Sequence, residues 1–79
     1  YGEVQAEISL IGNHTFVCNN FAGICSYKIY DMTGRVIEEG KTQNGFSNSL
    51  ALSESGLYLI MVTDEKGQIV TQKVVHERK

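Results

Sequence analysis

The strongest constraint on this chain is a period of two. Val4, Ala6, Ile8 and Leu10 fall on one side of an extended backbone and Glu3, Gln5, Glu7 and Ser9 on the other, the pattern of a half-buried strand and not of a helix. Cys25, Tyr27 and Ile29 alternate in the same way with Ser26, Lys28 and Tyr30, and Phe46, Asn48, Leu50 and Leu52 with Ser47, Ser49 and Ala51. Leu57-Tyr58-Leu59-Ile60-Met61-Val62 is apolar on both sides, which predicts a central strand covered on both faces. Turn signals separate these runs at Gly12-Asn13, Asn19-Asn20, Ala22-Gly23, Asp31-Met32-Thr33-Gly34, Asn44-Gly45 and Asp64-Glu65-Lys66-Gly67. The reading places strands near 3–11, 14–18, 25–31, 35–40, 46–52, 57–63 and 68–75. Seven short strands with turns every 8 to 12 residues or so predict an all-β, immunoglobulin-like sandwich of about seven antiparallel strands.

Composition narrows the class. The chain has 79 residues, room for a single domain over 1–79. Leu, Ile, Val and Phe supply 22 of them, enough apolar matter to argue against intrinsic disorder. A net charge of −2 lacks the basic excess that draws a domain to nucleic acid. No run approaches the roughly 18 apolar residues of a transmembrane segment. So short a chain has little stability to spare, which argues against an elaborate enzyme. It begins at Tyr1 with no initiator Met and no charged n-region ahead of an apolar h-region, so we expect a fragment of a larger chain, and the missing signal peptide says nothing against export.

Chemistry-bearing residues are few. Cys18 and Cys25 fit neither a CxxC redox motif nor a zinc site. They are either a disulfide, contributing about 2.5 kcal/mol in the chain-entropy model if the domain is exported, or two buried free thiols in a reducing compartment. His14 and His76 are the only imidazoles, and the chain has no nucleophile elbow, metal-spaced cluster or phosphate-cradling glycine loop. Glu38-Glu39 and Asp64-Glu65 are neighbours in sequence, so on a strand each pair points to opposite faces. These readings give no catalytic residue, no cofactor and no metal. The stretch from Tyr30 to Ile37 echoes that from Thr63 to Val70, each running strand, Asp-x-x-Gly, polar residue, two β-branched residues. Such hairpin turns use Asp to bond their own backbone and Gly to take a positive φ. Calcium is the weaker account of those aspartates, because neither loop has the carboxylate spacing of an EF-hand. Asn13-His14-Thr15 matches a glycosylation acceptor pattern, a short match of little weight. Tyr58, after the turn at Ser55-Gly56, fits the tyrosine corner of a sandwich. Proline is absent and no Asp, Glu, Lys or Arg lies between Glu7 and Lys28, which fits an internal pair of strands better than a first strand pair left open to pairing with another chain. The otherwise acidic chain ends in Lys73, His76, Glu77, Arg78 and Lys79, a basic end fit for recognition or for solubility.

Three stretches taken together resemble a family. Tyr30-Asp31-Met32-Thr33-Gly34-Arg35-Val36, then Ser55-Gly56-Leu57-Tyr58-Leu59-Ile60-Met61-Val62, then Gln72-Lys73-Val74-Val75 are similar in order and spacing to the C-terminal sorting domain of the Bacteroidetes type IX (Por) secretion system. The resemblance spans about residues 8–79, and Ile8-Ser9-Leu10-Ile11-Gly12-Asn13 and Asn20-Phe21-Ala22-Gly23 fall where that family carries a first strand and a Gly-bearing turn. It implies a non-catalytic address at the end of an exported protein with an N-terminal cargo domain. The implied route runs through the periplasm to an outer-membrane translocon, then to the cell surface or medium. A sortase-like peptidase usually removes the domain. By position, recognition falls to Lys73, Val74, Val75, Arg78 and Lys79, while Asp31, Gly34, Arg35, Gly56 and Tyr58 hold the fold. The sequence departs from the family in lacking the Asn-Pro pair that opens many members, and Cys18 and Cys25 are not part of its pattern.

Two other readings need no sorting role. An immunoglobulin-like adhesion or spacer module of a periplasmic or surface protein fits the same strands. A carbohydrate-binding module would want exposed aromatics on one sheet face, and this chain has four Tyr, three Phe and no Trp.

Overall fold

In a computed structural model of the chain, which describes residues 5–12, 14–50, 52 and 54–77, the alternation becomes seven strands. They are β1 (Glu7–Ile11), β2 (Thr15–Asn19), β3 (Cys25–Tyr30), β4 (Val36–Thr42), β5 (Ser47–Ser49), β6 (Gly56–Thr63) and β7 (Ile69–His76). Glu3, Val4, Asn13, Ala51, Arg78 and Lys79, each assigned a part above, lie outside the described residues. The strands form a three-stranded sheet in the order β1-β2-β5 and a four-stranded sheet in the order β4-β3-β6-β7. All strand pairings are antiparallel. The two sheets pack into a β-sandwich, as the strand count and turn spacing predict.

One face of each sheet supplies the core. Ile8, Phe16 and Cys18 of the smaller sheet, with Phe21 and Leu50 beside them, meet Cys25, Ile29, Ile60, Val62 and Val74 of the larger. Ile60 and Val62 are 0% exposed, so each contributes roughly 1.5 to 3 kcal/mol by leaving water. The Phe16 and Tyr27 rings join the sheets edge to face, with centroids 5.2 Å apart and planes at 76°, the geometry an aromatic quadrupole favours.

The loop between β2 and β3, which carries the chain from one sheet to the other, is pinned by side chains distant in sequence. The Asn44 amide accepts from the Phe21 N–H at 2.9 Å and donates to the Phe21 carbonyl at 2.6 Å. The Ala22 N–H donates to Asp64 at 3.0 Å and the Ile24 N–H to Glu65 at 2.7 Å. A side chain at Gly23 would collide with the Glu65 carboxylate.

Two expectations need correction. The strand expected over 46–52 is only β5, three residues long. One further bond keeps the β2 register past its end, the Leu50 N–H donating to the His14 carbonyl at 2.7 Å, and Leu50 is buried in the core. β6 is central, between β3 and β7, but it is not covered on both faces: Leu59 is exposed and Leu57 and Met61 are half-buried.

Candidate recognition surface

Period two divides β7 into two rows of different use. Val70, Gln72, Val74 and His76 are wholly or partly buried, whereas Ile69, Thr71, Lys73 and Val75 are exposed. Val74 is 3% exposed and Val75 64%, so adjacent valines do opposite things: Val74 fastens the strand and Val75 faces outward beside Lys73. β7 pairs with β6 along its whole length, from Gly56 opposite His76 to Thr63 opposite Ile69. Among the described residues no strand pairs with its other edge. That edge offers unpaired backbone donors and acceptors. Nδ1 of His76 is buried without a hydrogen-bond partner.

The residues expected to hold the fold sit at two corners. The Tyr58 hydroxyl donates to the Glu54 carbonyl at 2.8 Å, the bond that defines a tyrosine corner at the start of the sixth strand. Gly56 opens that strand. At the β3 to β4 turn, one oxygen of Asp31 accepts from the Thr33 N–H at 2.9 Å, the Thr33 hydroxyl at 2.6 Å and the Arg35 N–H at 3.1 Å. Gly34 takes a φ of 87°, and its N–H returns to the Asp31 carbonyl at 3.0 Å. The Arg35 guanidinium lies 3.4 Å from Asp31 with its side chain 78% exposed, a surface pair worth little.

The β6 to β7 turn repeats this construction. Asp64 accepts from the Lys66 N–H at 3.0 Å and the Gln68 N–H at 2.9 Å, and Gly67 takes a φ of 83°. Both carboxyls are held below their ordinary range, Asp31 chiefly by the Thr33 hydroxyl and Asp64 chiefly by the Ala22 N–H. The aspartates are thus committed to the backbone. No cluster of acidic, His or Cys side chains among the described residues could hold a metal.

Cys18 and Cys25 are both free thiols at 0% exposure. Burial, then the neighbouring Cys25, pushes the Cys18 thiol up to about 11. Burial also raises Cys25, with Asp64 and Glu65 adding to the effect. Thiols so held are poor nucleophiles at neutral pH.

A shallow cleft joins the two regions. It is lined by Asp31, Met32, Leu57, Tyr58, Leu59 and Lys73, so the structure places Asp31 and Lys73, 42 residues apart in the chain, in one depression. The outward row of β6 in this cleft carries no chemical signature in the sequence, where Leu57 and Leu59 read as core. No helix among the described residues is long and apolar enough to cross a membrane. Compared with known families, residues 5–77 match a family model described as a secretion system C-terminal sorting domain. No curated protein and no solved structure matches.

Proposed function

The chain belongs to the family of secretion-system C-terminal sorting domains, and from that premise we propose that β7 and the basic end after it are the part the secretion apparatus reads. Membership makes the chain a secretion signal of the type IX system, in a non-catalytic family that acts with the type IX machinery and directs passage across the outer membrane.

In the proposed reading the receptor is the outer-membrane translocon, and what it moves is a cargo domain N-terminal to this one. The destination is the cell surface or the medium, with a sortase-like peptidase removing the domain on the way. The observation that carries the reading is the position of β7 at the open edge of its sheet, with Lys73 and Val75 turned outward. An edge of this kind can be gripped by strand addition, in which backbone bonds supply affinity and the alternate side chains supply specificity. Lys73 and Val75 are the side chains so offered, Arg78 and Lys79 extend the charge, and Val74 keeps the strand in place from within.

Deleting residues 73–79 would pull Val74 out of the core and confuse unfolding with loss of recognition. The clean test attaches the chain behind a signal peptide and a reporter in a Bacteroidetes host. The combined substitution Lys73→Glu, Val75→Ser is compared with truncation after Glu77. Each is expected to lower reporter at the surface by about tenfold or more, the loss typical of an interface anchor, while the melting temperature of the purified chain stays near that of the parent. Parental export by both folded variants would sink the reading.

A further inference from the structure

The outward face of the four-stranded sheet does not look like a surface meant for water. Strand register fixes its rows: Lys73, Leu59, Tyr30 and Val36 lie side by side across β7, β6, β3 and β4. Val75 and Leu57 form the row above, and Met61 and Lys28 stand opposite each other in the row below. Leu59 is 36% exposed and Val36 37%, which makes a band of apolar side chains across the sheet where the sequence alone predicts a covering layer. The face is also positive. Lys28, Lys41 and Lys73 share it with Glu39, directly opposite Lys28, and with Asp31 at its rim beside Lys73, a carboxylate engaged by its own turn, on a chain whose net charge is −2. The outward face of the other sheet is unlike it. Ser9, Thr15, Val17, Ser47 and Ser49 make the middle of that side small and hydroxyl-rich, with Ile11 exposed at one end and Asn19 and Glu7 at the other, and it carries no lysine to match those of the larger sheet.

We infer that the outward face of the β4-β3-β6-β7 sheet is a docking surface for a protein partner that is itself apolar and acidic, its carboxylates meeting Lys28 and Lys73 around the Leu59 band. The inference rests on the sorting reading above and extends the recognised surface from the edge of β7 to the middle of the sheet. An apolar centre within a polar rim is the anatomy of a protein interface, and the sign of the rim selects the partner. A second copy of the chain is disfavoured by the same lysines, since a two-fold contact through this face sets the patch against itself.

The test uses the reporter assay with substitutions that leave β7 untouched. Lys28→Glu with Leu59→Ser is expected to cut surface reporter by about tenfold, as loss of an interface anchor does, with the melting temperature preserved. Val17→Ser with Ser47→Glu on the other sheet is expected to export like the parent. Should the first pair compromise folding, Lys28→Gln alone carries the test, since Lys28→Glu sets like charge directly opposite Glu39 on β4. Normal export by a folded face variant overturns the inference while leaving the edge reading intact. Loss of export by the face variant beside normal export of the truncation after Glu77 supports the inference and removes the basic end from the edge reading, whereas normal export of Lys73→Glu, Val75→Ser overturns both, because Lys73 belongs to both surfaces. Two binding measurements on the purified chain complete the test. A dimer in sedimentation equilibrium that Lys28→Glu dissolves, or flotation with phosphatidylglycerol vesicles that Lys28→Glu abolishes, would give the face to a second copy or to lipid and overturn the inference.

Discussion

At Asp31 and Asp64 a single carboxylate organises each hairpin turn, and both groups titrate below their ordinary range because N–H and O–H donors converge on the charged form. The unfolded chain, with its aspartates near the usual value of about 3.9, therefore binds more protons than the folded one in mild acid. The stability these turns contribute is present above that value and is lost as pH falls through the lower folded values. Thermal melts from pH 6 down to pH 2 should show a falling midpoint, and the double substitution Asp31→Asn, Asp64→Asn should flatten that decline; an unchanged acid limb would contradict the account. These turns were legible in the sequence because the bonds that close them are local, from Asp31 to Thr33, Gly34 and Arg35 and from Asp64 to Lys66 and Gln68, although the Ala22 N–H that Asp64 also accepts lies 42 residues away. The clamps on the β2 to β3 loop were not. Asn44 reaches back 23 residues to Phe21 and Glu65 reaches back 41 to Ile24, and nothing in the local pattern marks an Asn or a Glu as bonded to so remote a backbone.

Strands were readable wherever one face is apolar and the other is not. Cys25, Tyr27 and Ile29 point inward from β3, and Val70 and Val74 from β7, so alternation assigns their faces directly. β6 is apolar at almost every position, and there the pattern identifies a strand without revealing whether a second layer covers it. The two rows of β6 should differ sharply in energy. Ile60→Ala empties a fully buried site and is expected to cost roughly 2 to 4 kcal/mol, a large share of the 5 to 15 kcal/mol that holds a typical domain. Leu59→Ala, one residue away on the outward row, is expected to cost about 1 kcal/mol or less, since a substitution on the exposed face leaves no cavity. Urea unfolding of both variants decides this, and equal losses would mean that the outward face is covered within the chain itself.

At the scale of the whole molecule, the fold joins a small core to two unlike outer faces. One is hydroxyl-rich, and the other is apolar and basic, bordered by an open strand edge. A domain so built needs no pocket and no catalytic group to act as an address; it needs to fold reliably and, in the reading proposed above, to present β7. The seven-strand count and the sandwich followed from local turns and periodicity. The order β4-β3-β6-β7, which brings Asp31, Leu59 and Lys73 to one cleft, depends on pairings between distant strands that single-strand patterns do not encode. The sorting role itself is tested most directly by placing residues 1–79 behind a signal peptide and a reporter in a Bacteroidetes host, with and without a working type IX system, and scoring reporter at the cell surface. Surface reporter only where the system works is the predicted result, and periplasmic retention of a folded fusion in both hosts would contradict the account.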